Sequence, residues 1–239
     1  MREVNILVIA HPDDESMFFV PTIRSLVRSG RTLWILCLTT GDYDGLGKQR
    51  QKEIHRAGKL LGVDKVIVQD ELMDHPTERW SVPNVVDAIK KSINENLQED
   101  QDHERVVLIT FDEYGVSGHI NHIDTFLGVR EITKCGKPCW QINDKYIPVE
   151  AWQLESERNI LKKYFPILSW VLLLLSFFMT YSAMAVQGSR QIYRFNEPWM
   201  NWRAMRAHES QFVWYRRLFV VFSCYTYVNV LKPIQATRE

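Results

Sequence analysis

At residues 10–16 the chain reads AHPDDES, one histidine and three acids set directly behind the apolar run NILVI. A second cluster, GVSGHINHID at 115–124, places His119 and His122 three residues apart. His11, Asp14 and the distant His122 offer nitrogen, oxygen and nitrogen donors. Such a set binds a catalytic zinc through three protein ligands and leaves a fourth position for water. A cation there would compensate the acids that otherwise crowd one loop. Pro12 stiffens that loop, so His11 and Asp14 can bend toward one point while Asp13 faces the open position and is free to take a proton. Glu15 is placed to orient His11 or Asp13 from behind.

Two simpler readings stand beside this one. Asp13, Asp14 or Ser16 also suit the N-terminus of a following helix, whose free N–H groups and dipole favour short acidic side chains. Of His119 and His122, one can ligate metal while the other stands by the substrate. Arg50 opens a helix after the turn TTGDYDGLG. At a pocket rim its guanidinium can grip a phosphodiester bidentately, and on a plain surface it would form an i,i+3 ion pair with Glu53. His55, His75 and His103 have no partner pattern and are read as surface residues.

The elements that must position these groups follow from periodicity. EVNILVIA reads as a strand, SMFFVPTIRSLVRSG as a helix ending at Gly30, and TLWILCLTTGD as a second buried strand. KQRQKEIHRAGKLLG, KVIVQD, PNVVDAIKKSINENL and RVVLITFD continue the alternation as helix, strand, helix and strand. A helix follows at about 122–132, and YIPVEAWQLES supplies a further strand. The expectation is an α/β fold with a Rossmann-like, mostly parallel sheet and helices on both faces. No G-x-G-x-x-G follows the first strand, so the dinucleotide fingerprint is missing where it should lie. The loops carrying HPDDE, TTGDYDGLG and TFDEYGVSGHINH all fall beyond the carboxyl ends of strands, where open α/β sheets bind ligands.

Lys plus Arg and Asp plus Glu each number 29, so no net field draws in nucleic acid. The four cysteines, Cys37, Cys135, Cys139 and Cys224, show neither C-x2-C zinc spacing nor a secreted disulfide framework, which favours reduced thiols. MREVNILVIA is too short and wrongly flanked for a secretory signal, so the catalytic part is expected in the cytosol. The run from Tyr164 to Ser189 carries no charge. As a helix it would measure roughly 35 Å, enough to cross a hydrocarbon core of about 30 Å. Tyr164, Trp170 and Tyr181 suit an interfacial belt, with Lys162, Lys163 and Arg190 outside them. Membrane association is expected.

Four segments carry a family resemblance: AHPDDE at 10–15, TTGDYDGLGKQRQKEIHRAGKLLG at 39–62, TFDEYGVSGHINH at 110–122 and AMRAHESQFVWYRRLFVVFSCYTYVN at 204–229. Together they resemble the LmbE-like zinc de-N-acetylases, most closely the eukaryotic glycolipid branch. HPDDE followed by GVSGHxNH is a specific pair, and the likeness spans nearly the whole chain.

The resemblance implies one domain over 1–239 with a C-terminal helical part at 204–229, into which the residues themselves set an apolar membrane-associated insertion at 164–189. It implies His11, Asp14 and His122 as ligands of Zn2+, with Fe2+ acceptable to the same borderline donors, and Asp13 as general base. His119 would steady the oxyanion or protonate the departing amine. Arg50 would lie near the substrate's phosphate, and His208 in AHESQ would touch substrate or pack against the sheet. Asp70 or Glu71 would hold a sugar hydroxyl. The implied reaction removes acetate from N-acetylglucosaminyl-phosphatidylinositol, the second step of glycosylphosphatidylinositol anchor synthesis, at the endoplasmic reticulum membrane with the catalytic domain facing the cytosol. Alternatives are a de-N-acetylase of another N-acetylglucosaminyl conjugate and a non-catalytic glycolipid-binding protein. Because 204–229 should pack on the catalytic domain, 164–189 is expected to be re-entrant or to lie in the interface, with Pro166 near its start, rather than cross once.

Overall fold

Glu3–Ile9 forms strand β1, and from Val4 onward every residue of it is buried. An apolar run without polar alternation is what a strand covered on both faces requires. The computed structural model describes residues 3–99, 104–134, 139–142, 145–164, 190–194, 197 and 199–234. After β1 come α1 (Asp14–Phe18), α2 (Val20–Arg28), β2 (Thr32–Cys37), α3 (Gly47–Leu61), β3 (Lys65–Val68), α4 (Val82–Glu99) and β4 (Arg105–Thr110). The chain continues through α5 (Gly115–Gly118), α6 (Ile120–Thr133), β5 (Cys139–Ile142), β6 (Lys145–Leu154) and α7 (Ile160–Tyr164). Last come β7 (Gln191–Arg194), α8 (Trp199–Ala207), α9 (Trp214–Phe222) and β8 (Val228–Pro233).

The strands form an eight-stranded sheet in the order β3-β2-β1-β4-β6-β8-β7, with β5 paired to β6 off this path. β1 runs parallel to both β2 and β4, matching Ile6 with Trp34 on one side and with Leu108 on the other. β8 lies antiparallel to β6, and β7 antiparallel to β8. The strand order turns back at β1: β2 and β3 extend one way and β4 the other. Right-handed crossovers then put α2 and α3 on one face and α4 and α6 on the opposite face. A Cβ built on Gly128 of α6 would collide with the Val85 side chain of α4, so those two helices touch through that glycine.

The structure is thus the expected α/β fold with a mostly parallel sheet, and it corrects two boundaries. The predicted single helix over 16–30 is two helices, broken at Phe19 (φ −116°, ψ 3°). Pro21 explains the break, because its ring clashes with a carbonyl one turn earlier and it has no N–H to give. The C-terminal part at 204–229 is not wholly helical either, since it runs into strand β8, which lies between β6 and β7. Of the apolar run 164–189 only Tyr164 is among the described residues. No helix among the described residues is long and apolar enough to cross a membrane.

Candidate active site

The crevice between the loops after β1 and β4 is the switch point of the sheet, where neighbouring connections diverge and leave room for a ligand. The first loop is tightly wound. The backbone N–H of His11 donates to Asp14 Oδ2 at 2.8 Å, which turns the Asp14 carboxylate back toward the end of β1. Asp13 sits at φ 134°, ψ −17°, with no side-chain capping bond to α1. This answers the helix-cap reading for Asp13: its carboxylate points into the crevice. A non-glycine residue at such a φ costs on the order of 1–3 kcal/mol and persists only where surroundings impose it.

Those surroundings are visible. The Asp13 N–H donates to Glu15 Oε2 at 3.1 Å. Glu15 Oε1 meets both Ser16 Oγ and His208 Nε2 at 2.5 Å. The Asp13 carboxylate lies between two guanidiniums, 3.6 Å from Arg50 and 3.1 Å from Arg216.

The second loop is strained too. Val116, a β-branched residue, adopts φ 61°, ψ −47°. Its N–H donates to Ser156 Oγ at 3.0 Å and its carbonyl accepts from Lys163 Nζ at 2.7 Å. Ser156 is itself fixed by Asp112, which accepts from its N–H at 2.7 Å and its Oγ at 2.5 Å. The neighbouring Gly115 carbonyl lies 3.0 Å from His122 Nδ1. A proton on Nδ1 donated there leaves Nε2 to face the first loop. His119 caps α6 by accepting the Asn121 N–H at its Nδ1, 3.3 Å away.

The two loops meet. His122 Nε2 lies 3.1 Å from Asp14 Oδ1, and His11 Nδ1 lies 3.7 Å from Asp14 Oδ2. One donor nitrogen from each of His11, His119 and His122 lies within 4.8 Å of the others. Ligand atoms around a tetrahedral zinc are roughly 3.3 Å apart. The Asp14–His122 and Asp14–His11 separations of 3.1 and 3.7 Å lie near that spacing, and two imidazoles with a carboxylate are the donor chemistry a divalent cation takes. Burial pushes the Asp14 carboxyl up, but the adjacent His122 and His11 outweigh it and hold Asp14 below the ordinary carboxylate range. Burial likewise disfavours a charge on His122, and Asp14 reverses that and raises it. His119 is different. Burial, followed by the charges of His11 and His122, brings it down to about 4, so without a cation its imidazole is neutral at pH 7.

The donors open onto a cavity of about 280 Å³, whose walls include Asp13, Arg50, Asp74, Gln211 and Arg216. Asp74 Oδ1 lies 3.2 Å from His11 Nε2, and its other oxygen 3.7 Å from Arg50. His11 is therefore flanked by carboxylates on both of its nitrogens.

A family model described as PIG-L, GlcNAc-PI de-N-acetylase, matches residues 6–133, which contain both donor loops. The N-acetylglucosaminyl-phosphatidylinositol de-N-acetylase of Bos taurus is 33% identical over 231 residues, 95% of this chain and 81% of its own. The chain belongs to the PIG-L family. Among solved structures, N,N'-diacetylchitobiose deacetylase from Pyrococcus horikoshii is similar with a TM-score of 0.56 at 18% identity, covering 89% of this chain and 71% of its own. The zinc-inhibited form of teicoplanin deacetylase Orf2 gives 0.55 at 13% identity, over 96% and 97%. At those identities the likeness speaks for the fold.

Within this PIG-L chain, His11, Asp13, Asp14, His119 and His122 all come together at the cavity. Arg50 does too, though both of its Nη atoms donate to backbone carbonyls, Gly41 at 2.9 Å and Pro12 at 3.0 Å. Glu53 instead takes the N–H and Oγ of Ser210, so no Arg50–Glu53 surface pair forms. His208 is a correction: it is fully buried behind Glu15 and does not line the cavity, so the expected contact with substrate is absent. Asp70 and Glu71 do not line it either; Asp70 accepts from Thr40 and Glu71 pairs with Lys91. Asp74, a few residues further along the loop after β3, lines the cavity instead. Arg216 was missed because WYRRLFVVF, with aromatics around two arginines, reads as a segment lying at lipid headgroups, and nothing in its spacing says which arginine turns inward.

Proposed function

We propose that this chain is a metal-dependent amidohydrolase that converts N-acetylglucosaminyl-phosphatidylinositol to glucosaminyl-phosphatidylinositol and acetate, the second step of glycosylphosphatidylinositol anchor synthesis. The observation that carries the reading is the meeting of His122 Nε2 and Asp14 Oδ1 at 3.1 Å beside an Asp13 carboxylate that is not a ligand. PIG-L membership supplies the substrate class.

His11, Asp14 and His122 are the residues that would hold the cation, with zinc favoured by two imidazoles and a carboxylate. When bound, the cation supplies Lewis-acid polarisation to the acetamide carbonyl and the attacking water. Asp13 takes the proton of that water on a carboxylate oxygen and is placed to return it to the departing amine. His119 accepts the Asn121 N–H at Nδ1, so its neutral form carries the proton on Nε2 and donates it toward the oxygen where negative charge grows. A neutral imidazole donor thus performs the task of steadying the oxyanion. Arg50 and Arg216 place positive charge on the cavity wall, where a phosphodiester next to the sugar is attracted.

Membrane association belongs to the same proposal, supported by the charge-free run 164–189 and by a substrate whose acyl chains stay in a bilayer. Residence at the endoplasmic reticulum with the catalytic domain facing the cytosol follows from the substrate reading. The test is acetate release from synthetic lipid-linked substrate after chelation and after adding back Zn2+ or Fe2+, with a lipid-free sugar alongside. Activity that survives complete removal of metal would sink the proposal.

A further inference from the structure

Helices α8 and α9 both turn an unusual surface outward. On α8, Met200, Asn201, Ala204 and Met205 are buried, whereas Trp199 is 64% and Trp202 37% exposed. Arg203 and Arg206 are exposed on the same helical face. On α9, Val220 is buried and Phe219 stacks edge-on against Phe18 at 5.5 Å. Its outer face carries Trp214 (71% exposed), Tyr215 (54%), Leu218 (49%) and Phe222 (46%), with Arg217 among them. Trp202 and Phe212 join the helices edge-to-face at 4.9 Å. Neither helix contains an acid, and Glu209 in the turn between them is paired with Arg56 at 3.1 Å.

We infer that the outer faces of α8 and α9 form a docking surface for an anionic lipid bilayer, and that it sets the cavity mouth at the headgroup level. Three observations select a bilayer over a protein partner. Tryptophan and tyrosine beside arginine, with no opposing acid, match the headgroup zone, where aromatic rings settle and basic groups meet phosphates. Tyr164, the first residue of the charge-free run, packs on Phe219 of α9 at 6.3 Å, so that run begins beside this helix. Arg216, on the inner side of α9, lines the cavity, and about 280 Å³ admits a sugar headgroup but not acyl chains. A lipid held by its tails must therefore offer its sugar beside α9.

Only the catalytic part of the test rests on the proposed substrate. The full-length chain is mixed with vesicles of phosphatidylcholine, with or without phosphatidylinositol, containing brominated acyl chains. Trp214→Phe serves as the reference that isolates the fluorescence of Trp214. Quenching of Trp214, stronger with phosphatidylinositol, is expected. Leu218→Glu/Phe222→Glu should raise KM for vesicle-borne substrate roughly tenfold or more while turnover of a lipid-free sugar phosphate stays within about twofold, which also reports an intact fold. Absence of Trp214 quenching, or an unchanged vesicle KM, overturns the inference. So does a concentration-dependent dimer that the double variant abolishes, since the face would then belong to a second copy. If wild type hydrolyses neither substrate while Trp214 is quenched, the substrate reading fails and the docking surface stands.

Discussion

His208 Nε2 lies 2.5 Å from Glu15 Oε1, across 193 residues of sequence, and neither side chain is exposed to solvent. Glu15 uses its other oxygen to hold the backbone N–H of Asp13. The buried pair therefore acts on the proposed base through one peptide group, and His208 is a positioning residue.

That pair sets a pH dependence. Burial opposes the charge on His208, but Glu15 outweighs it and raises the pKa above the ordinary 6.5. A raised histidine stabilises the fold fully below its unfolded value and loses that contribution as pH rises through the folded value. Thermal midpoints of the wild type should therefore fall as pH climbs above about 6.5. His208→Gln should melt lower overall, by roughly 3–5 kcal/mol of stability for a broken buried pair, and its midpoint should decline less steeply as pH rises, the remainder coming from His122, which Asp14 also raises. A variant that keeps the wild-type pH slope would refute the assignment.

Asp13 separates chemistry from backbone strain. Asp13→Ala and Asp13→Gly should both lose turnover and keep bound metal, whereas His122→Ala should lose metal. At φ 134° glycine is at ease and alanine is not, so Asp13→Gly should be the more stable of the two by about 1–3 kcal/mol. Urea titration of the pair checks this, and equal stabilities would show that the loop relaxes.

Asp74 braces His11 from the side opposite Asp14. Partners of this kind are worth about 10–100-fold in metal affinity. Asp74→Ala is expected to weaken metal binding within that range, measured by competition with a chelator, and Asp74→Asn to recover part of the loss. Unaltered affinity in Asp74→Ala would leave Asp74 with substrate contact alone.

Lys163 donates to the carbonyl of strained Val116, in the turn whose Gly115 carbonyl meets His122. Lys163→Met removes that donor and should cost roughly 1–3 kcal/mol together with a measurable drop in metal affinity. If stability falls while affinity holds, the turn keeps its shape without the lysine.

The donor set was legible because each half of it is local. HPDDE and GVSGHINH are short loops at the ends of two apolar strands, and β-strand periodicity places such loops at one edge of the sheet. Residues that arrive by tertiary packing were not legible in the same way. Arg216 reaches Asp13 only because α9 packs against Phe18, and His208 is pulled behind Glu15 by the burial of α8. The last two strands, β7 and β8, were missed for a related reason: each is short and sits beside strongly helical or apolar sequence, so its pairing partner, more than its composition, makes it a strand.

Every donor atom proposed for the cation lies at or before His122, but the clamp that bends Asp13 into place ends at His208. A nascent polypeptide emerging from the ribosome would thus carry all three donors well before it carried that clamp. The residue that fixes the proposed base therefore arrives only as the final stretch is synthesised.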